Sequence, residues 1–542
     1  MAKRLKLDDS FSAALENLAP NQVLTDASNS KGKYTSDYGR QFVSPDNNSD
    51  SLVFQAIHLE EGLNVDRHGI IRVYGVTESG YPVSLTLEGF DHYFFFPAPP
   101  GFETEDLKPL QVHLNAIIPG ALSVKDIALH RKRIRPKSTE VLFLKITLWT
   151  PSRAEAMKDK LCLPLQHTHT ERMISLHTSS SKAAALTILP MTWIRIPASK
   201  YTVVGDADRS STCQLELLSR YRQLAYKTHD KCDLTYHPSY EDIELVSGGD
   251  RSTLPEIAPL RVMSMDIETM VPPSNGFPRP TQEQVIQIAC TVSLRRYSTN
   301  AETAVEIEQP FFRSVFALDS VAEIPGCQIF SFEDERDLLS EWRKFVINMD
   351  PDLIVGHNIL KFDIPFLLLR ASHVGLKDFA LLGRQKDRRS TYRVEFKMEI
   401  RDKEETFSPV IPGRLVIDIL HWARRNIKGT GTGLRTLETL SNKYLGSSKE
   451  GIKFQEISGL QKGETASAET RRELALYCLK DAYLAQQLCD KLRCLEDFYL
   501  RTSLDHHIPI NWVTTQLPVF LQTMKKVANA KGEYIIADKM GG

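Results

Sequence analysis

Met263-Ser264-Met265-Asp266-Ile267-Glu268-Thr269 reads as an apolar strand that ends in two carboxylates. On an extended backbone, residues two apart project to the same side, so Asp266 and Glu268 face one site together. The strand runs from Leu260 to Ile267, and Gln284–Val292 reads as its antiparallel neighbour. Glu333–Met349 has helical spacing with acidic residues in its first turn, where they suit the positive end of the helix dipole. Asp352-Leu-Ile-Val355 is a short buried-type strand, and Gly356-His357-Asn358 turns the chain into a helix that begins near Phe362 and tolerates Pro365 in its first turn. Strand, strand, helix, strand, helix predicts an α/β layer with a mixed sheet.

Two further segments supply what the carboxylate pair lacks. One is Gly356-His357-Asn358-Ile-Leu-Lys-Phe-Asp363; the other is Tyr477-Cys-Leu-Lys-Asp481 on a long amphipathic helix over Thr470–Lys491. Tyr477 and Asp481, four residues apart, project from one helix face. Cleaving a phosphodiester needs a hydroxide near neutral pH and charge stabilisation on the leaving oxygen, which two divalent metals about 4 Å apart provide. Asp266, Glu268, Asp363 and Asp481 offer the hard oxygen ligands such metals take. Without metal, four crowded carboxylates resist ionisation. Tyr477 is placed to hydrogen-bond the attacking water, and Asn358 either to position a phosphate or to brace a metal ligand. Lys480 reads as a helix-surface lysine. Taken singly, an Asp-x-Glu strand end or a Tyr-x-x-x-Asp helix is commonplace; their order and separation carry the reading.

Working outward, Arg384–Arg414 interrupts the α/β order with charged, β-leaning sequence and reads as an extended hairpin, to which Val410–Ile417 is the return; Leu434–Tyr444 is a further amphipathic helix. Upstream, Leu52–Leu59, Ile70–Val76, Val83–Phe90 and Tyr93–Phe96 are strand-like, the last closed by Pro97. Asp106–Ile118 is helical if Pro109 falls in the first turn. His130–Lys137 reads as a basic loop before a strand at Val141–Trp149, and either meets phosphate or is simply solvated. Residues 200–250 read as Ser, Gly and Asp clusters around a polar helix, with Ser247–Thr253 as a linker. The domain reading is therefore residues 1–50 a disordered tail, 51–255 a β-rich N-terminal domain, 256–495 the carboxylate-bearing domain, and 496–542 a tail.

Acidic and basic residues balance across the 542 positions, 68 against 67, for a net charge of −1, so any contact with nucleic acid rests on local patches. No apolar run approaches the ~20 residues needed to cross a bilayer, and the start of the sequence lacks the apolar stretch of a secretory signal. Its Lys-Arg-Leu-Lys cluster favours a nuclear-import address over a solvated basic end by a small margin. The eight cysteines, Cys162, Cys213, Cys232, Cys290, Cys327, Cys478, Cys489 and Cys494, form no C-x-x-C pairs and read as reduced, mostly buried thiols. Cys162 with His167 and His169 imitates metal-ligand spacing without a second pair, so surface histidines are the better reading.

Asp266 and Glu268, then Asn358 and Asp363, then Tyr477 and Asp481 resemble the three successive motifs of the DEDD-type 3′-to-5′ exonuclease of family B DNA polymerases, in the variant with tyrosine in the third. Gly89–Phe94 and Pro97–Phe102 extend the resemblance, which covers residues 50 to 495. It implies an RNase H-like exonuclease domain with a mixed sheet behind a β-rich N-terminal domain, two Mg²⁺ ions that Mn²⁺ can replace, and single-stranded DNA or a frayed 3′ primer end as substrate. It also implies that the 384–414 hairpin helps part primer from template, and that a full-length form works in the nucleus on replicating DNA with accessory subunits and a sliding clamp. The family's polymerase signatures occur nowhere in this sequence, so no nucleotide addition is expected of this chain alone. The contrasting expectation is a non-catalytic nucleic-acid-binding or assembly fragment that keeps the fold as scaffold; the presence of all four carboxylates and the tyrosine weighs against it.

Overall fold

A computed structural model describes residues 50–63, 69–88, 92–117, 124–133, 140–148, 191–205, 207–220, 244–245, 257–295, 310–397, 404–427, 432–447 and 452–499. Residues 1–49 of the expected 1–50 tail, the Cys162, His167 and His169 group, the Ser247–Thr253 linker and everything after Tyr499 lie outside these residues.

The N-terminal part begins with an antiparallel meander of β1 (Ser51–Leu63), β2 (Gly69–Thr77) and β3 (Pro82–Glu88). β4 (His92–Pro97) ends at its proline as expected, and α1 (Leu107–Ile117) holds Pro109 in its first turn with Leu114 buried beneath. β5 (Val124–Arg133) and β6 (Glu140–Leu148) complete a three-stranded sheet in the order β4-β6-β5. The expected basic loop is therefore corrected at His130–Arg133, which continues β5 and pairs His130 with Phe143 and Arg131 with Leu142. Arg131, at this strand end, is exposed, so its charge is compatible with the ladder. β7 (Thr192–Pro197), β8 (Thr202–Val203), β9 (Leu215–Arg220) and β10 (Glu244–Leu245) join the meander in a seven-stranded sheet ordered β10-β7-β1-β2-β3-β9-β8. Within the 200–250 stretch, Leu215 to Arg220 is a strand parallel to β3, and residues 221–243, which could hold the expected polar helix, lie outside the described residues.

The second part is built on β11 (Leu260–Thr269), β12 (Val285–Arg295), β13 (Phe312–Leu318) and β14 (Gln328–Phe332), followed by α2 (Glu335–Met349), β15 (Leu353–Gly356) and α3 (Asp363–His373). A free-standing hairpin, β16 (Thr391–Lys397) with β17 (Glu404–Val410), then precedes β18 (Leu415–Asp418) and α4 (Ile419–Asn426). The helices α5 (Leu437–Leu445), α6 (Ile457–Lys462), α7 (Ala468–Lys491) and α8 (Cys494–Tyr499) finish the described chain. The six-stranded sheet is ordered β14-β13-β12-β11-β15-β18. β12 is antiparallel to β11 and β13, while the β11–β15, β15–β18 and β13–β14 pairs are parallel, so the sheet is mixed as expected. The return of the hairpin is Glu404–Val410, ahead of the expected Val410–Ile417, whose Leu415–Ile417 instead joins an edge strand of this sheet.

Strand alternation divides the core. Met263, Met265 and Ile267 pack with Leu338, Trp342 and Phe345 of α2 and Ile364 of α3. Leu260 and Val262 turn to the opposite face, with Leu484 and Leu488 of α7. Between them Ser264 donates its hydroxyl to the Ala482 carbonyl at 2.7 Å, pinning α7 across β11. By the same period Asp266 and Glu268 emerge on the α7 side. The apolar layer on that side continues into the seven-stranded sheet through Ile57, Tyr74, Trp193 and Cys213, so the two parts share a core.

At the root of the hairpin sits a buried charge network. Arg384 grips Asp350 through Nε and Nη2 at 2.9 and 3.1 Å and reaches Asp352 at 2.5 Å; Arg414 donates to Asp350 at 2.7 Å. Burial opposes the charge on Arg384, but Asp350 and Asp352 outweigh it and hold the guanidinium well above its ordinary range. Asp350 has a left-handed backbone, φ 46°, and caps the C-terminus of α2. The network thus ties the end of α2, the entrance to β15 and both ends of the hairpin segment at one point.

Candidate metal centre

Three elements converge on one small region: the end of β11, the turn after β15 with the first residue of α3, and the middle of α7. β11 delivers half-buried Asp266 and buried Glu268. β15 ends at Gly356, where a Cβ would stand 2.9 Å from Ile359 and 3.0 Å from the Met265 carbonyl, so only glycine lets the turn pass this close to β11. Asn358 takes a left-handed backbone, φ 68°, which asparagine tolerates better than most residues. Asp363 opens α3, is buried, and accepts the Ile267 backbone N–H at 3.2 Å, a direct tie between the second motif and the first.

α7 lies across β11 and β12 and is buried along almost all of its C-terminal two thirds. Lys480 is therefore buried, which corrects the expectation of a surface lysine: with the sheet below and other helices around it, this part of α7 has no solvent face. Asp481 is buried and Tyr477 half-buried, one turn apart as the spacing predicts. Between them, the Cys478 thiol touches the Asp266 carbonyl and carboxylate at 3.4 and 3.7 Å. Burial, and then the carboxylates of Asp266, Glu268 and Asp481, push that thiol well above its ordinary range. One side chain thus feels three of the four expected ligands.

The fourth is Asp363. Burial, with the Asp418 and Asp481 carboxylates adding to it against backbone hydrogen bonds, pushes its carboxyl up to about 7. The native state therefore holds a proton there that an unfolded chain, titrating near 3.9, has already released. The metal-free protein is accordingly expected to lose stability as pH rises from about 4 through about 7 and to level off above. Melting temperatures in chelator across that window should show this fall, and Asp363→Asn should flatten it.

The donor set fits Mg²⁺ by its chemistry: hard carboxylate oxygens, mutually repelling, on rigid elements. Among the described residues, no three acidic, histidine or cysteine side chains already stand grouped as a cage for one ion. That is compatible with Mg²⁺, which commonly uses one or two carboxylates, retained waters and substrate phosphates rather than an all-protein cage.

Two residues that the sequence reading did not single out belong to this region. Asp418, buried at the end of β18, accepts the backbone N–H of Asn358 at 2.9 Å and of Leu360 at 3.1 Å. Its signal in the sequence was a short apolar run, Leu-Val-Ile, ended by an aspartate that caps the following helix. Phe277 lies in the loop after β11, 73% exposed, with its ring edge-on to Phe362 at 5.2 Å, next to Asp363. An exposed phenylalanine inside a Gly-Phe-Pro turn was its only mark.

Residues 184–437 match the family described as DNA polymerase family B, exonuclease domain. The match ends before α7, so it does not reach Tyr477 and Asp481. The DNA polymerase delta catalytic subunit of Schizosaccharomyces pombe is 32% identical over 495 residues, covering 88% of this chain and 42% of that protein. Its counterpart in Arabidopsis thaliana is 32% identical over 517 residues, covering 88% and 43%. The chain thus spans about two fifths of the length of these relatives. Among solved structures, the family B DNA polymerase of the archaeon Pyrobaculum calidifontis matches with a TM-score of 0.60 and 16% identity over 89% of this chain and 51% of that one, a likeness of fold.

Proposed function

From the match of residues 184–437 to the family B exonuclease domain and the similarity to delta catalytic subunits over most of the chain, we propose that it is a metal-dependent 3′-to-5′ exonuclease that trims single-stranded or frayed 3′ DNA ends. The observation that carries this reading is the convergence of Asp266, Glu268, Asp363 and Asp481 from three separate elements, close enough to perturb common neighbours. A structural role does not call for four carboxylates on three elements packed around Cys478 and Asp363.

In this reading Asp266, Glu268, Asp363 and Asp481 would hold two Mg²⁺ ions, whose chemistry would be to acidify water and to offset charge on the leaving oxygen. Tyr477 orients the attacking water through its hydroxyl, one helical turn from Asp481. Asn358 positions a phosphate or braces Asp363 from the turn. The hairpin β16–β17 helps part the primer end from its template. Cellular action on replicating DNA in the nucleus, beside accessory subunits and a sliding clamp, is part of the same proposal for a full-length form. The direct test is incubation with a 5′-labelled mispaired primer in Mg²⁺ or Mn²⁺: stepwise shortening from the 3′ end is expected, and a primer left intact rejects the reading.

Phe277 gives this proposal a substrate contact. An exposed ring seated against Phe362 is a platform for the terminal base, and such stacking is worth about 1–3 kcal/mol per base. Phe277→Ala is expected to raise KM for a single-stranded oligonucleotide about tenfold, with kcat less affected. Steady-state excision kinetics check this.

The absence of a ready-made cage among the described residues favours one competing reading, a scaffold that keeps the fold without the activity. Melting in increasing Mg²⁺ separates them, since an ion that binds only the folded state raises the melting temperature and a scaffold shows no shift.

A further inference from the structure

We propose that Asp418 is the positioning residue of this centre, holding the Asn358 turn and the start of α3 in register with β11. The inference deepens the exonuclease reading and rests on it. β15 and β18 run parallel with Gly356 level with Asp418, so the carboxylate comes up beside the turn at the C-terminal ends of both strands. Its two oxygens then serve two elements at once. Oδ1 accepts the N–H of Asn358 at 2.9 Å, of Leu420 at 2.8 Å and of His421 at 3.4 Å; Oδ2 accepts the N–H of Leu360 at 3.1 Å. The contacts to Leu420 and His421 form an ordinary helix N-cap on α4. The other two serve residues 358 and 360, whose amides have no such use in a helix or a ladder.

The left-handed Asn358 explains why the turn needs a grip. An asparagine at φ 68° directs its N–H out of the regular path, and an N–H turned toward the interior, here onto the buried Asp418, must find an acceptor. A carboxylate with two acceptor oxygens satisfies both the 358 and 360 amides, while an asparagine amide offers one acceptor oxygen only. The same turn is held from the other side, where the His357 ring bonds the Arg435 carbonyl at 2.9 Å. From Leu360 the chain has three residues to reach Asp363, so a shift in the turn is passed to that carboxylate. Asp418 itself is 2% exposed and points at amides, which makes it a support for the ligand set rather than part of it.

The test compares Asp418→Asn with Asp490→Asn, which breaks the buried Arg295 pair at the far end of α7 and serves as a control for stability loss alone. Asp418→Asn is expected to lower kcat for a 5′-labelled single strand at least about tenfold and to raise the Mg²⁺ concentration for half-maximal rate, with KM for the oligonucleotide within about twofold. Asp490→Asn should leave kcat near that of the parent at the same temperature. Amide exchange at residues 358 and 360 should quicken in Asp418→Asn only. A folded Asp418→Asn with parental kcat and Mg²⁺ dependence, or an equal loss of kcat in Asp490→Asn, overturns the positioning role while leaving the exonuclease reading intact. A parent protein that does not excise rejects both.

Discussion

Asp363→Ala is expected to lower 3′ excision by at least about a thousandfold, because charge stabilisation by a bound metal is worth several kcal/mol and each ~1.4 kcal/mol is a factor of ten in rate. Asp363 is singled out among the four carboxylates by its position. It is tied to β11 through the Ile267 amide and feels both Asp418 and Asp481, so it links all three elements of the centre. The variant should also lose the Mg²⁺-dependent rise in melting temperature. Tyr477→Phe provides the contrast: it removes one hydroxyl and no ligand. A drop of about ten- to a hundredfold with the thermal response to Mg²⁺ retained is expected, the range of a hydrogen bond to a charged group. Excision by Asp363→Ala at the parental rate, measured on the same primer, would mean that the centre is wrongly assigned.

Arg384→Ala is expected to cost about 3–5 kcal/mol of folding stability, the range for breaking a buried ion pair from one side. Asp350 and Asp352 would both lose their buried Arg384 partner, while Asp350 would keep its pair with Arg414. The exposed Lys344–Glu341 pair on α2 is the natural reference. Lys344→Ala removes an ion pair one helical turn long that solvent screens, and a change below ~0.5 kcal/mol is expected. Denaturant midpoints for the two variants under one buffer decide the matter; similar midpoints would show that the network contributes no more than a surface pair. The network also has a positional consequence. It fastens the hairpin segment at Arg384 and Arg414, while Tyr74 hydrogen-bonds Gln385 at 3.2 Å and Arg388 pairs with Glu60 from the seven-stranded sheet. The base of the hairpin is therefore held by both parts of the molecule.

Much of the centre was legible because its signals are local. Two carboxylates on one side of a strand follow from period two, Tyr477 and Asp481 on one side of α7 from the helical repeat, and the Gly-His-Asn turn from its residue types. Of the expected strand, strand, helix, strand, helix order, β11, β12, α2, β15 and α3 follow from periodicity, while β13 and β14, which stand between β12 and α2, were not read. Lys480, His130–Arg133 and β18 were misread or missed for one reason: each depends on what packs alongside. A lysine on an amphipathic helix looks exposed until the helix is enclosed, a charged run looks like a loop until a partner strand pairs with it, and a four-residue apolar run carries too few periods to distinguish a strand from a hairpin's return.

The sequence by itself determined which residues are chemically able to form this centre and on which side of its own element each one lies, since both depend only on residue type and backbone repeat. Tertiary structure alone decided that the strand, the turn and the helix meet, that Asp418 serves two of them at once, and that Asp363 is pushed up to about 7. Burial and the approach of carboxylates distant in sequence are properties of packing, and no repeat within a single element encodes them.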